Sequence, residues 1–545
     1  MNFVAKIYEN MQARSDRPVL IEARGSELVP FTGAQMLDII ARTRAFVASR
    51  ELSAGDRVGL MAPNSATWAA IDQGLLGAGL IVVPLYDRQD PNELASMLRD
   101  AGATLTIAAT AGLADALRGA DGDVADVVTF DDVLACAPAA DAAPGDLSSD
   151  DDCTIIYTSG TSGEPKGVVY TVANVDFMVP QTVSALAATI GPRDREDHVF
   201  HYLPFCFAGS RLMLWTQMFR GNPLTTSTDL NQLVAEMGAA NPNYYLNVPA
   251  VLERIRRGVS QKVDEAGGMG AFLYRRALAA VEAQKAGTAG FMDGIFASLG
   301  QKVVFPKIRD RIGSRLEFLI CGSAPLTPET QAWFETLGIP VLQVYGLTET
   351  TGIVTMDRKD LAAPGTVGVA IDGVEMKIGD GGELLVRGDN VFDRYWNKPE
   401  ATESAKTDGW FHTGDQCEID DRGRLKIIGR IKNLVIPESG HNVAPEPIES
   451  KLMALDESIE HAVVVGHGRP YLSVLVTGTT PEALEPAIEA VNAELPFYKR
   501  LRRYHISADP LTIESGLLTA NQKLRRAEIE KHFAAAIDAM YEADA

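Results

Sequence analysis

The sequence predicts an α/β protein, with a large N-terminal domain of helix-covered sheets, a β-rich subdomain at its end, and a small α+β C-terminal domain. Three observations predict it. The chain has 545 residues, and a single hydrophobic core stops growing beyond about 250–300 residues. Short apolar runs alternate with helical patterns through the first third, as in parallel sheets covered by crossover helices. From Gly379 the texture changes to Gly-rich turns between strand-like runs, which reads as hairpins.

In chain order, Thr32 to Arg50 has helical spacing, and Thr32 with Gln35 three residues on fits a capping box. The run RVGLM from Arg57 to Met61 reads as a strand, and a helix follows from Ala66 to Ala78. The apolar stretch Gly74 to Leu85 is too short to span a membrane, which needs about 18 residues, so it reads as a buried helix end entering the strand Leu80 to Leu85. Asn92 to Ala101 reads as a helix and Thr104 to Ala108 as a strand. A polar loop, Asp141 to Asp152, precedes the strand Cys153 to Tyr157. Later, Asp420 to Gly423 forms a turn before a strand from Arg424. A final unit from about Ile431 holds strands Ala462 to Val465 and Leu472 to Val476, a helix from Pro481 to Leu495 and a basic helical tail. No internal repeat is visible.

Composition narrows the function. Hydrophobic residues are 46% and charged residues 22% of the chain, a globular balance. The formal net charge of -22 argues against nucleic acid as a partner, because phosphate backbones need clustered Lys and Arg. The five cysteines, Cys136, Cys153, Cys206, Cys321 and Cys417, form no CxxC pair, so they read as buried free thiols in a reducing cytoplasm. The N-terminus lacks the basic start and apolar run of a signal peptide.

The most informative segment is YTSGTSGEPKG, from Tyr157 to Gly167. Glycines let a loop turn its backbone N–H groups toward an anion. Thr158, Ser159, Thr161 and Ser162 add hydroxyls, and Lys166 adds charge. The spacing is not that of a Walker A loop, because Pro165 separates the glycines from the lysine.

This segment resembles the phosphate-binding loop of the adenylate-forming superfamily, which includes acyl-CoA synthetases, peptide-synthetase adenylation domains and luciferases. The remaining motifs follow in order. CGSAPL from Cys321 resembles the adenine-side segment, and QVYGLTE from Gln343 the Tyr-Gly-x-Thr-Glu motif. WFHTGD ending at Asp415 resembles the ribose motif, GRIK from Gly429 the hinge, and LTANQK ending at Lys523 the C-terminal lysine segment. The resemblance implies an ATP-dependent ligase that makes an acyl-adenylate, releases pyrophosphate, and passes the acyl group to coenzyme A. It implies an adenylation domain over residues 1–430 and a mobile C-terminal domain over 431–545, hinged at Lys432.

It also implies a nucleotide site built from Thr158, Ser159, Gly160, Thr161, Ser162, Gly163, Lys166, Gly322, Ser323, Ala324, Pro325, Gln343, Tyr345, Gly346, Asp415 and Arg430. Elementary chemistry fits these roles. The Tyr345 ring offers a face for adenine. Glu349 is a hard oxygen ligand for Mg2+, with Thr158 beside it. Thr348 can donate to phosphate or carboxylate, Asp415 can accept from ribose hydroxyls, and Arg430 presents a rigid fork of donors. Lys523 meets the charge that grows on the α-phosphate. The resemblance also makes Gly440 a candidate for close approach to the thiol arm of coenzyme A.

Residues 251–315 resemble the helical insertion of long-chain acyl-CoA synthetases. The insertion carries twelve Lys/Arg against six Asp/Glu. Such a basic amphipathic face can rest on anionic lipid, the plain alternative being a solvated helix face. The expected location is cytoplasmic, from the free cysteines, with peripheral membrane contact and a plain solvated face as the two alternatives for the insertion. No feature of the sequence sets an oligomeric state. Two segments depart from the long-chain pattern, at three positions. Phe207 stands where the acyl-side motif has histidine, with Ser210 in place of its glutamate, and Val172 replaces a second histidine after the phosphate loop. Phe205 and Phe207 are the expected acyl-pocket residues, and a bulky Phe207 would favour a medium-chain, branched or aromatic acid. Two other readings stay open: an acyl-AMP ligase that loads a separate carrier protein, and a catalytically silent acyl or nucleotide sensor.

Overall fold

The computed structural model describes residues 1–122, 124–140, 143–158, 165–456, 458–513, 515–519 and 523–542. They divide into two compact units. The first holds Met1–Thr158, Pro165–Glu375 and Arg387–Gly409, and the second Met376–Val386 and Trp410–Ala545. This division places the strands Trp410–Ile419 and Leu425–Arg430 with the C-terminal part, whereas the sequence reading puts them in the N-terminal domain.

The first unit contains two sheets. The six-stranded one runs, in spatial order, Val127–Thr129, Leu105–Ala108, Arg57–Met61, Ile81–Leu85, Asp152–Thr158 and Lys166–Thr171. Its strands are parallel up to Asp152–Thr158, which turns back on Lys166–Thr171 as an antiparallel hairpin. Strands buried on both faces explain the unbroken apolar runs such as IVVPL, all five of whose residues are buried. The helix Ala66–Gly77 is almost wholly buried, so the long apolar stretch is a core helix that feeds a core strand.

The nine-stranded sheet of this unit has a parallel centre: Val341–Tyr345, Leu319–Cys321, Tyr244–Asn247, Val199–His201, Leu224–Ser227 and Pro18–Arg24. Antiparallel strands close both edges. Parallel centres need helices on their faces. One of these is Gly33–Ser49, which begins as its sequence suggests: Thr32 Oγ1 accepts from Gln35 N at 3.4 Å, and Gln35 Oε1 accepts from Thr32 N at 2.8 Å. Residues 249–313 form a run of helices, Pro249–Ala266, Gly268–Lys285, Phe291–Leu299 and Phe305–Gly313, with a π-helical turn at Gly300–Val304.

In the second unit, Trp410–Ile419 pairs antiparallel with the strand Glu383–Arg387 on one side and Leu425–Arg430 on the other. Further on, His461–Val465, Leu472–Thr477 and Leu501–Ser507 make a three-stranded sheet. The helices Glu446–Leu455 and Pro481–Glu494 supply Leu452, Leu484 and Val491 to the core on one face of that sheet. Leu517, Leu518, Ile529 and Ile537 pack with Val463 and Leu475, whose side chains alternate in direction with the residues of the first core.

Among the described residues, no helix is long and apolar enough to cross a membrane. Cys153, Cys206, Cys321 and Cys417 are buried free thiols, while Cys136 is only half-buried.

Candidate functional site

In the first unit, Thr158, the loop from Gly322 and the loop from Gly346 lie at the carboxyl ends of strands. Open α/β sheets bind ligands there, because the loops leaving those ends carry helix N-termini and free backbone donors. Thr158 ends one arm of the phosphate-loop hairpin and Lys166 begins the other, opposite it in register. Ser159, Gly160, Thr161, Ser162 and Gly163 lie outside the described residues. The hairpin needs Gly167: a Cβ there would stand 2.7 Å from Ile155 Cγ2 and 3.1 Å from Tyr157 Cζ.

The loop after Leu319–Cys321 carries Gly322, buried, and Ser323, Ala324 and Pro325, all exposed. A Cβ on Gly322 would meet Val344 Cγ2 at 2.7 Å, so glycine allows this loop to lie against the next strand. That strand, Val341–Tyr345, leads through Gly346 into the 3-10 turn Thr348–Thr350. Gly346 is again a close approach, since a Cβ would fall 2.3 Å from the Gly352 carbonyl oxygen. Tyr345, Thr348 and Glu349 are half-buried. Gln343, expected at the nucleotide, is buried. Its amide nitrogen donates to Gln331 Oε1 and to the Thr366 carbonyl, both at 2.8 Å, so it holds the strand in place.

The decisive geometry joins Lys166 to Glu349. Tyr395 lies in a segment that pairs with the hairpin, with Val169 N bonded to Arg394 O and Trp396 N to Gly167 O. Its hydroxyl donates to Glu349 Oε1 at 2.8 Å, and Lys166 Nζ lies 4.9 Å from its ring centroid. Phe392 N donates to the Glu349 carbonyl at 2.9 Å. Tyr170 OH donates to the Thr348 carbonyl at 2.6 Å. Burial, and then the Glu349 carboxylate, hold the Tyr170 phenol well above its ordinary pKa, so it stays a donor. Neither tyrosine is named by the motifs. The aromatic cluster RYW at Arg394–Trp396 is the only sequence signal for Tyr395.

Tyr395→Phe separates two roles of this residue. It keeps the ring under Lys166 and removes the donor to Glu349. A hydrogen bond to a charged group contributes about 1.5–3 kcal/mol, so MgATP binding is expected to weaken about tenfold while ATP binding without metal is unchanged. Calorimetric titration with and without Mg2+ reads this. Equal MgATP affinity in variant and wild type would mean that the hydroxyl only supports the fold.

In the second unit, Asp415 and Arg430 are opposite each other on neighbouring strands. Arg430 Nε stands 2.7 Å from Asp415 Oδ1, and the carboxylate is buried. Lys432 lies in the 3-10 turn Ile431–Asn433 and is exposed. Gly440 is exposed at φ +77° with nothing within 4 Å of a would-be Cβ, so its neighbourhood is open. Lys523 is exposed, its N donating to Thr519 Oγ1 at 3.1 Å and its carbonyl accepting from Thr519 N at 2.8 Å.

On the acyl side, Phe205 is a core residue, with rings of Trp68 and His201 both 5.5 Å from it. Phe207 is half-buried, 5.4 Å from the Tyr86 ring, and precedes the helix Ala208–Arg220. His201, missed in the sequence, is fully buried, and burial pushes its imidazole down to about 4, so it is neutral at physiological pH. Val172 is buried at the start of the helix Val172–Ile190, where Thr171 and Asn174 form a capping box.

Comparison with known proteins matches this architecture. The AMP-binding enzyme model covers residues 7–396, and the AMP-binding enzyme C-terminal domain model covers residues 432–545. The chain belongs to the AMP-binding enzyme family. Within that family it is 27% identical to the long-chain-fatty-acid–CoA ligase FadD15 of Mycobacterium tuberculosis, over 99% of this chain and 97% of that one. A fatty acyl CoA synthetase from the same organism has the same fold, with TM-score 0.66 and 24% identity, covering 98% of this chain and 99% of the other. So does the anthranilate CoA ligase AuaEII, solved with anthranoyl-AMP, with TM-score 0.77 and 19% identity over 98% of each chain. Membership of the family makes this an adenylate-forming protein that binds ATP and AMP.

Proposed function

We propose that the chain is an ATP-dependent acyl-CoA synthetase for a fatty acid, with the site residues named above in the roles the family motifs imply. The observation that carries the proposal is the Lys166–Tyr395–Glu349 link. It sets a phosphate-loop cation and a hard carboxylate ligand on one aromatic side chain, beside the loop that ends strand Asp152–Thr158.

The substrate carboxylate is already ionised at neutral pH, so no base is needed for its attack on the α-phosphate. Pyrophosphate leaves in line. Lys166 and the loop hydroxyls hold the departing phosphates, Thr348 orients the carboxylate or phosphate oxygens, and Lys523 meets the charge growing on phosphorus. Gly322, Ser323, Ala324, Pro325, Tyr345 and Gly346 border adenine, and Asp415 takes the ribose hydroxyls. The residues present fit Mg2+: Glu349 offers a carboxylate and Thr158 a hydroxyl. Glu349 and Thr158 would hold the ion from the protein side, and its remaining ligands would be ATP phosphates and water. When bound, Mg2+ supplies charge neutralisation between phosphates.

Thioester formation then needs the thiol of coenzyme A to reach the acyl-adenylate. Lys432 is the proposed hinge between the domains 1–430 and 431–545, and Gly440, with no side chain, borders the thiol arm. A cytoplasmic location with peripheral contact to lipid belongs to the same proposal, and the excess of Lys and Arg in residues 251–315 supports the lipid contact. The half-buried aromatic Phe207 on the acyl side supports a medium-chain, branched or aromatic acid.

The test is pyrophosphate release with ATP and Mg2+ across acids of increasing chain length, with and without coenzyme A. Thioester formed only with coenzyme A is the expected result. Thioester formed only on a pantetheinylated carrier protein would turn the reading to a carrier-loading ligase. No release with any linear, branched or aromatic acid would sink the ligase reading altogether.

A further inference from the structure

Along the helix Phe291–Leu299 and the π-helical turn after it, Phe291, Ile295, Leu299 and Val303 recur at four-residue steps, 85%, 41%, 40% and 45% exposed. Met292 stands beside them. The neighbouring helix Gly268–Lys285 adds Met269 at 71% and Phe272 at 51% exposure. Phe272 meets Phe296 edge-on at 6.2 Å, so the two helices present one continuous apolar face. Gly290 and Gly294 leave a shallow groove along it, lined also by Ser298 and Lys302.

A solvated helix face would put charges outward and large apolar side chains inward. Here Ala297 and Gly300 are buried and Phe296 and Val304 pack partly inward, yet Phe291, Ile295, Leu299 and Val303 stay exposed on the opposite side. Contiguous exposed apolar area of this kind marks a binding surface. Its charges are positive. Arg276 lies over the Phe296 ring at 5.0 Å, and exposed Lys302 and Lys307 follow the stripe. Asp293, the one acidic residue within Phe291–Leu299, is turned into the helix start, where its Oδ2 accepts from Gly290 N at 2.8 Å. This local excess of cations stands in a chain of formal charge -22.

We propose that this face is a docking surface for an anionic lipid bilayer. Phe291, Ile295, Leu299, Met269 and Phe272 enter the headgroup boundary, and Arg276 and Lys302 meet lipid phosphates. A protein surface would require shape complementarity over a broad area. A bilayer requires what is present: protruding flexible and aromatic apolar groups ringed by long cations. An overall acidic protein is repelled by an anionic bilayer, so the basic face also sets its orientation. The proposal deepens the reading that the acid is a fatty one, since such acids partition into bilayers, and it rests on that reading for its purpose but not for its test.

The experiment is co-sedimentation of the full chain with phosphatidylcholine vesicles, with and without phosphatidylglycerol, in the absence of ATP and acid. Binding to the anionic vesicles, weakened by salt, is expected. Phe291→Ser with Ile295→Ser should lower the partition coefficient at least about tenfold, and Arg276→Glu with Lys302→Glu should abolish the preference for anionic lipid. All four positions are exposed, so the thermal midpoint should stay put, and this is measured alongside. Absence of wild-type binding, or equal binding by the variants, overturns the proposal. So does a wild-type dimer in light scattering that becomes monomeric in the Phe291/Ile295 variant, because the face would then join two copies of the chain. Pyrophosphate release from acid supplied in monodisperse form is scored separately. Its loss with vesicle binding intact sinks the ligase reading alone, and vesicle binding lost with release intact sinks the docking face alone.

Discussion

Lys523→Ala is expected to slow acyl-adenylate formation about 100- to 1,000-fold, the usual cost of removing one preorganised donor to a developing oxyanion. The structure makes this a clean substitution. Leu517 and Leu518 are buried against Val463 and Leu475 and anchor the segment before it. Lys523 itself is exposed, and its backbone is held by one bond to the Thr519 hydroxyl and one to the Thr519 backbone N–H. Truncating the side chain therefore leaves the core intact, and stability should change by no more than about 0.5 kcal/mol. The two half-reactions should separate. Thioester formation from coenzyme A and preformed acyl-adenylate needs no charge on an α-phosphate departing from pyrophosphate, so it should survive. Single-turnover measurements of each half-reaction read this directly. Lys523→Arg should recover only part of the first, because a guanidinium is a planar fork and not a compact point charge. Equal loss of both half-reactions would remove Lys523 from the adenylation step.

How much of this was legible in the sequence depended on how far apart the interacting residues lie. Local patterns read well. Thr32 and Gln35 form the capping box their spacing suggests, and the strands around RVGLM and IVVPL lie within a residue or two of their apolar runs. The ordered motifs identified the family because each is a short contiguous string. Long-range pairs did not read. Tyr395 bonds Glu349 across 46 positions, and no local rule couples them. Gln343 sits in a motif, yet the fold uses its amide to tie Gln331 and Thr366. Sequence position marks it as near the site, and only packing shows which way the side chain is spent. Phe205 likewise reads as a pocket residue from its place beside Phe207, but it is stacked into the core with His201 and Trp68.

Removing one partner of the Asp72–Arg211 pair is expected to have the largest effect on stability. Both side chains are wholly buried. Arg211 Nη2 bonds Asp72 Oδ1, and Nη1 donates to Thr154 Oγ1 at 2.6 Å. Trp215 Nε1 donates to Asp72 Oδ2 at 3.1 Å, and the Arg211 guanidinium carbon lies 4.6 Å from the Trp215 ring centroid. Burial pushes the Asp72 carboxyl above the usual carboxylate range, while Arg211 and the hydrogen bonds from Trp215, Arg211 and Gln73 pull it back. Asp72→Ala would leave a guanidinium in the core with no counter-charge, which costs about 3–5 kcal/mol. A fall of that size in the unfolding free energy, read from denaturant midpoints, is the expected result. The pair itself is a weaker asset than this figure suggests, because taking both charges out of water is costly. Asp72→Leu with Arg211→Met should therefore recover most of the loss. It should stop short of full recovery by about 1–3 kcal/mol, since the Trp215 indole N–H then has no acceptor. The network also ties Thr154, in the strand that ends at the phosphate loop, to the helices Ala66–Gly77 and Ala208–Arg220. A double variant that regains stability but binds ATP poorly would show that the charges are retained to place that strand. One that regains both would leave the pair without a role in the site.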